Sequence, residues 1–439
     1  MHGLTYGKTG FVPTMVLALA VLIGGLNGTV GHAAEWYRGN IHMHSYWSDG
    51  VAFPEEAAQL YRESGYQFLC ISDHNRLADD TERWAEVGKG KLTPALVERM
   101  EKRFPENVLE KKEENGKTFV RLRTFDEFAA SLNDPGQFLL IPGYEHTLAS
   151  SAPDNRQVHI NVVGTQRTIP VKPEATVAET LAGNVAALDT MLVESGEARD
   201  AMVMLNHPNW RYFDVTPEDT APVTALRFFE LCNCAPTSPA HEKSWTNDKF
   251  WDVVTATRLE HGEPVVWGVA TDDTHNYDYG HANPGQAGAG WVVVRAEELS
   301  QEAIVGAMKR GDFYNSTGVE LADITWDAAN RTLSVRVKPI GDEKYTIEFI
   351  GTRRGTDLGG EQIEDLEDGN KPGRTFTLYS DAVGETWKRV ENIAATCQLP
   401  DDGLYIRARI VSDAKPDFRP GGKPEYKTAW TQPYFVLTK

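Results

Sequence analysis

Apolar positions along the chain gather into short runs separated by amphipathic stretches. YQFLCIS (66–72), QFLLIPG (137–143), VHINVVG (158–164), AMVMLNH (201–207), LRFFELC (226–232) and PVVWGVA (264–270) read as buried strands. Helical patterns lie between them: PEEAAQLYRES (54–64), TFDEFAASLND (124–134), ATVAETLAGNVAALDTMLVES (175–195) and TNDKFWDVVTATRLEHG (246–262). Pro54 suits a first helical turn and Gly262 a helix stop. Strand alternating with helix predicts an α/β domain with a mainly parallel sheet, open or closed into a barrel. After about residue 315 the pattern changes to TLSVRVKPI, KYTIEFIG, TFTLYS, LYIRARIVS and AWTQPYFVLTK, separated by Gly, Asp, Asn and Pro. Period-two alternation there predicts a C-terminal β-sandwich. The acidic, Gly-rich stretch 359–373 reads as an exposed loop.

A length of 439 residues, with 41% hydrophobic and 24% charged, suits a soluble globular chain of two domains, 35–315 and 316–439. Residues 11–26 are an apolar run behind Lys8, followed by small residues up to Ala33 and Ala34. This reads as a signal peptide over 1–34; an uncleaved anchor is the alternative, although the run is short for a membrane span. The mature chain is then expected to be secreted or periplasmic, with no stable membrane insertion. Four cysteines are too few for a disulfide-built scaffold. Cys232 and Cys234 share a strand face, which raises a thiolate metal pair, but no second pair stands at zinc-finger spacing. The net charge of -19 disfavours nucleic acid or an anionic membrane as partner and favours a small-molecule substrate, although bound metal ions can reverse the field locally.

Residues with metal-ligand character fall at the ends of the predicted strands. EWYRGNIHMH closes on His42 and His44, whose spacing of two points both to one face. Asp49 follows, then Asp73 and His74, Tyr144, Glu145 and His146, His207, and Asp272, Asp273 and His275, with His159 inside VHINVVG. A parallel α/β barrel collects the carboxyl ends of its strands at one rim, so such residues would converge.

RGNIHMHSYWSDG, LCISDHN, IPGYEHT, LNHPNW and GVATDDTH, in that order, resemble the PHP (polymerase and histidinol phosphatase) superfamily over about residues 36 to 315. The resemblance implies a distorted seven-stranded (β/α) barrel and two or three divalent metal ions. It assigns His42, His44, Glu145 and Asp273 to one ion and Asp49, His74 and His275 to a second. Glu145 would bridge to a third ion held also by His159 and His207, with His146 the competitor for the place of His159. A mixed nitrogen and oxygen set suits Zn, Mn or Fe without choosing among them.

Paired metals acidify a bridging water and clamp both oxygens of a displacement, so hydrolysis is the expected chemistry. The PHP resemblance implies phosphoester hydrolysis by a metal-bridging hydroxide. Arg76 and Arg156 are candidates for gripping the phosphoryl group, and His281 for protonating the leaving group. Within the superfamily, LLIPGYEHT, PGQAGAGWVVVRA and GDFYNSTGVELADI look similar to the secreted members grouped with carbaryl hydrolase. That grouping leaves a carboxyl-ester or carbamate hydrolase open on the same site. A non-catalytic protein that binds carbohydrate or a partner through its β domain is the reading from another class.

Overall fold

The computed structural model describes residues 34–436, apart from 107–108, 154, 211–212, 234–245, 278–286, 366–373 and 417–424. The signal peptide expected over 1–34 therefore lies, but for its last residue, outside the described residues. Among them, no helix is long and apolar enough to cross a membrane.

The first half of the chain runs β1 (Glu35–Asn40), α1 (Pro54–Glu63), β2 (Phe68–Cys70), β3 (Trp84–Glu86), α2 (Pro94–Arg103), β4 (Lys111–Glu114), β5 (Lys117–Arg121), α3 (Phe125–Leu132), β6 (Leu139–Ile141), β7 (Gly143–Ala149), β8 (Gln157–Val163), α4 (Val177–Ser195) and β9 (Met202–Leu205). It continues through α5 (Pro217–Thr220), β10 (Phe228–Asn233), α6 (Asn247–Glu260), β11 (Trp267–Thr271), β12 (Trp291–Ala296), α7 (Gln301–Arg310) and β13 (Phe313–Ser316). Nine further strands follow: β14 (Leu321–Asp327), β15 (Thr332–Val337), β16 (Tyr345–Arg353), β17 (Gly360–Asp365), β18 (Arg374–Tyr379), β19 (Glu385–Glu391), β20 (Ala394–Gln398), β21 (Gly403–Ser412) and β22 (Thr428–Thr431).

The helices form where apolar spacing and caps agree. Thr176 and Thr246 accept hydrogen bonds from the backbone N–H groups of Glu179 and Lys249 and so start α4 and α6. Gly196, at φ 78°, ends α4 in the left-handed conformation that a side chain resists. Every residue of β10 and β11 is buried, which explains their unbroken apolar runs.

The strands divide among open sheets. One of nine strands has the order β19-β16-β21-β22-β13-β12-β1-β2-β6, and one of five has the order β11-β10-β9-β8-β7. No closed barrel is found among the described residues. The two sheets meet at the carboxyl ends of their parallel strands through single-residue parallel bridges, Met43 with Thr274 and His74 with Glu145. In the five-stranded sheet β8 runs antiparallel to both neighbours, so its start, not its end, lies at that rim.

The nine-stranded sheet crosses residue 315: β13 pairs antiparallel with β22, which pairs with β21. A three-stranded sheet, β14-β15-β20, shares an apolar cluster with β16 and β21 through Leu333, Val335, Ile347, Phe349, Ile406 and Ala408. Two elements depart from the sequence reading. Part of the stretch taken as a loop, Gly360–Asp365, pairs along its length with Arg374–Tyr379. A small sheet, β3-β5-β4, is inserted in the chain between β2 and β6, and its hairpin turns at Asn115-Gly116, both with positive φ (51° and 72°).

Candidate metal centre

The nine residues assigned by the PHP resemblance come together where the two sheets meet. His42 and His44 follow β1, Asp49 closes the next turn, His74 follows β2, Glu145 is the third residue of β7, His207 follows β9, and Asp273 and His275 follow β11. His159 lies near the start of β8 and reaches the same rim because that strand is reversed. Backbone bonds tie the segments together: Asp273 N–H donates to His42 O (3.0 Å), His44 N–H to Thr274 O (2.9 Å) and Glu145 N–H to Asp73 O (3.1 Å). Asp273 is held at φ 50°, a left-handed conformation that a non-glycine residue adopts only when its surroundings enforce it. Gly50 permits the tight return of the His44–Asp49 loop, since a Cβ there would stand 2.3 Å from His44 O.

Donor atoms fall into three overlapping groups: His44, Asp49, His74 and His275; His42, His44 and Glu145; and Glu145, His159 and His207. Within each group they lie within 4.8 Å of one another. Asp273 Oδ1 adjoins the middle group, 3.2 Å from His42 Nε2 and 3.0 Å from His44 Nε2. Glu145 is central, with Oε1 3.1 Å from His159 Nδ1 and 3.5 Å from His207 Nε2, and Oε2 2.6 Å from His74 Nδ1. Asp49 Oδ1 is 3.2 Å from His275 Nε2 and 3.5 Å from His74 Nε2. The cluster opens on this side: the Asp49 side chain is 52% exposed and that of Glu145 1%.

Two ring tautomers are set by oxygens that lie away from the shared donor atoms. His42 Nδ1 donates to Glu230 Oε1 (2.5 Å) and His275 Nδ1 to the Asp273 carbonyl (2.9 Å), so each ring, when neutral, keeps a lone pair on an inward-facing Nε2. His42 Nε2 and His44 Nε2 face each other at 3.2 Å, and buried Asp273 Oδ1 has no hydrogen-bond partner. Lone pairs converging on shared points, with an orphaned carboxylate oxygen among them, fit divalent cations.

Protonation without a metal follows the same crowding. Burial opposes charge on His275, but Asp49 and Asp273 outweigh it and lift its pKa to about 9. Burial would raise the Glu145 and Asp273 carboxyls, yet the surrounding histidines hold both well below the ordinary carboxylate range. His44 is lowered by burial and by the charge of His275.

His146 and Arg156 are engaged elsewhere. His146, on the opposite face of β7 from Glu145, is fully buried with Nε2 2.9 Å from Asn184 Oδ1, so it neither competes with His159 nor orients Glu145. Arg156 is 2% exposed and its Nη1 donates to Asp214 Oδ1 (3.3 Å), so an incoming phosphate would have to displace a buried carboxylate. Arg76 is exposed just after His74. His281 and Cys234 lie outside the described residues, while Cys232 is buried in β10. Asp272 turns away from the ligands: it accepts the N–H groups of Gly288, Ala289 and Gly290 at 3.0, 2.9 and 2.7 Å, and burial lifts its pKa to about 6.

Sequence reasoning missed Glu230. Besides His42, it accepts Thr271 Oγ1 (2.6 Å), the N–H of His207 (2.6 Å) and Asn233 Nδ2 (2.8 Å). A glutamate inside the otherwise apolar FFELC run was the available signal, because a fully buried carboxylate requires partners. Asn206 and Asp73 were missed in part: Asn206 Nδ2 donates to Glu145 Oε1 (2.7 Å), and Asp73 ties Ser45 (2.6 Å) and Ser48 (2.5 Å) into the ligand loop.

No family model matches the chain. It is 44% identical over 39 residues to the DNA polymerase/3'-5' exonuclease PolX of Bacillus subtilis, a stretch that covers 9% of this chain and 7% of that protein. Two solved structures are similar at a distance. A two-domain protein of Bacteroides vulgatus, described as containing a predicted PHP-like metal-dependent phosphoesterase, is 13% identical with a TM-score of 0.39, over 92% of this chain and 96% of its own. A protein of Bifidobacterium adolescentis, provisionally described as a metal-dependent phosphoesterase, is 11% identical with a TM-score of 0.28, over 54% of this chain and 87% of its own.

Proposed function

We propose that the chain is a secreted or periplasmic metal-dependent hydrolase of the PHP type, acting on phosphoesters. The observation that carries this is the set of outward-anchored histidines whose inward lone pairs meet Glu145, Asp49 and an orphaned Asp273 oxygen. β1, β2, β7, β8, β9, β10 and β11, joined by the two single-residue bridges, support the reading of a distorted seven-stranded barrel, and the sheets sharing the C-terminal apolar cluster support that of a sandwich.

Divalent ions bound there, Zn, Mn or Fe, would supply Lewis acidity and a water acidified toward neutral pH. The chain's own residues order that site. Glu230 fixes the His42 ring, the Asp273 carbonyl fixes His275, and Asp73 holds the loop that carries Asp49. Exposed Arg76 stands close after His74, where a cation offsets charge on phosphoryl oxygens. Phosphoesters are favoured over carboxyl esters and carbamates because the donor groups overlap through His44 and Glu145. Ions held by groups that share His44 and Glu145 would act together on one phosphoryl group.

The test is a metal analysis of the purified chain with side-by-side assays of phosphomonoester, phosphodiester, carboxyl-ester and carbamate substrates. Phosphoester turnover is expected to be fastest, and His42→Ala to lower it at least ~10³-fold with the fold intact, as for a ligand of catalytic metals. Full activity in that variant defeats the site, and fastest turnover of a carbamate defeats the substrate class.

A further inference from the structure

Beside the open side of the metal centre lies a cavity of about 540 Å³, large enough for a small organic ligand. Asp49 belongs to both: its carboxylate faces His74 and His275, and the residue also lines the cavity. The far wall is the inserted sheet, with Trp84 of β3 and the turn that carries Lys89 and Lys91, and Tyr46 stands on the near side.

The insertion is fastened to the ligand loop. Tyr46 Oη donates to the Lys91 carbonyl (2.7 Å), and Lys91 Nζ to the Asp49 carbonyl. Arg83 also lines the cavity, its guanidinium 5.5 Å from the Trp47 ring centre and its Nη2 donating to the Trp47 carbonyl (3.3 Å). Its Nε is buried with no hydrogen-bond partner.

Charges do not balance there. Arg83, Lys89 and Lys91 line the cavity, and Arg76 lies near enough for its charge to act on Arg83. Of the acids, Glu86 is paired with Lys117 (2.8 Å) and Asp49 faces the histidines, while Asp73 accepts from Ser45 and Ser48, which bring it no countercharge. Asp80 and Asp73 both act on Arg83, two carboxylates against the four cations Arg76, Arg83, Lys89 and Lys91. A net positive hollow with a flat aromatic wall, in a chain of net charge -19, has the chemistry of a site for an anionic, planar group.

We propose that this hollow is a second anion subsite, which takes a carboxylate or further phosphate carried by the substrate's leaving group, with the body of that group lying against Trp84 and Tyr46. Which end of the substrate it takes rests on the hydrolase reading above; its preference for an anion is tested separately. The probes are 4-carboxybenzylphosphonate and benzylphosphonate, whose C–P bond lacks the leaving oxygen of a phosphoester, titrated calorimetrically into the metal-loaded full chain. The carboxylated probe is expected to bind about tenfold tighter, as one charge-assisted contact gives. That ratio should fall to about one in Lys89→Glu, an exposed turn position, and in Arg83→Gln. Equal affinities in the unaltered chain, no binding of either probe, or an unchanged ratio in both variants overturns the subsite. Turnover of 4-carboxyphenyl phosphate against phenyl phosphate then separates the two claims. A tenfold binding ratio without turnover of either ester sinks the phosphoesterase reading and leaves the subsite standing, whereas turnover of both with equal affinities sinks the subsite alone.

Discussion

Two regions of this molecule bury carboxylates, and they differ in where the countercharge comes from. At the contact between α6 and β21, Asp252 accepts Tyr405 Oη (2.6 Å), Arg407 Nε (2.8 Å) and Arg407 Nη2 (2.7 Å), while Arg407 also reaches Asp248 (2.9 Å) and packs 4.9 Å from the Trp251 ring centre. That network carries its own cation: burial opposes the charge on Arg407, and Asp252 and Asp248 outweigh it. At the rim, Glu145, Asp273 and Glu230 are as deeply buried, but histidines surround them and no arginine or lysine bonds to them among the described residues. A histidine can be neutral, so its lone pair is available to a metal ion in a way that a guanidinium never is. The first region is a structural weld, and the second has the donor set that a coordination shell needs.

The largest effect that distinguishes them is on stability. Asp252→Ala leaves Arg407 buried with only Asp248 beside it, and removing one partner of a buried pair costs about 3 kcal/mol or more. Denaturant unfolding should show that loss, with hydrolysis per folded molecule retained. A stability change within error would mean that water or Asp248 compensates and that the region is no weld.

Much of the rim was legible in the sequence because strand periodicity says where each apolar run ends, and the chemistry stands one to four residues beyond. The helices at 54–63, 177–195 and 247–260 were legible for the same reason, through apolar spacing, with Pro54 marking the start of the first and Gly262 the end of the last. Contacts set by tertiary pairing were not. The Asp214 that occupies Arg156 is 58 positions away, and the β13 to β22 ladder joins segments more than 100 residues apart. The Asn115-Gly116 hairpin was readable from its turn residues but was passed over, because its flanking strands, KKEE and KTFVR, carry charge where a buried strand carries apolar residues.

Glu230 tests whether the rim is a shell built in two layers. Glu230→Gln keeps the shape and a hydrogen bond to His42 Nδ1 but removes the charge that holds that ring as an inward donor. Loss of such an outer partner lowers metal affinity roughly 10- to 100-fold. Competition with a chelator measures this directly, and restored turnover at high metal concentration separates weaker binding from a damaged fold. Unaltered affinity would reduce Glu230 to a packing role.

Glu55 is a third kind of buried carboxylate and sharpens the contrast at its smallest scale. It is 1% exposed in the first turn of α1, and neither carboxylate oxygen has a hydrogen-bond partner. Arg123 Nη1 approaches to 3.6 Å, yet burial prevails and the pKa rises to about 7 from an ordinary 4.5. The acid is thus bound more tightly by protons in the folded chain than in the unfolded one. Its contribution to stability is present in full below about pH 4.5 and is lost as pH rises toward 7, above which the folded chain carries an ill-solvated charge. Glu55→Gln should therefore unfold at higher denaturant than the unaltered chain at pH 8, by up to about 2 kcal/mol, and the gap should close by pH 4.5. A gap independent of pH would show that Arg123 already neutralises Glu55, and would move this site from the unbalanced kind to that of Asp252 and Arg407.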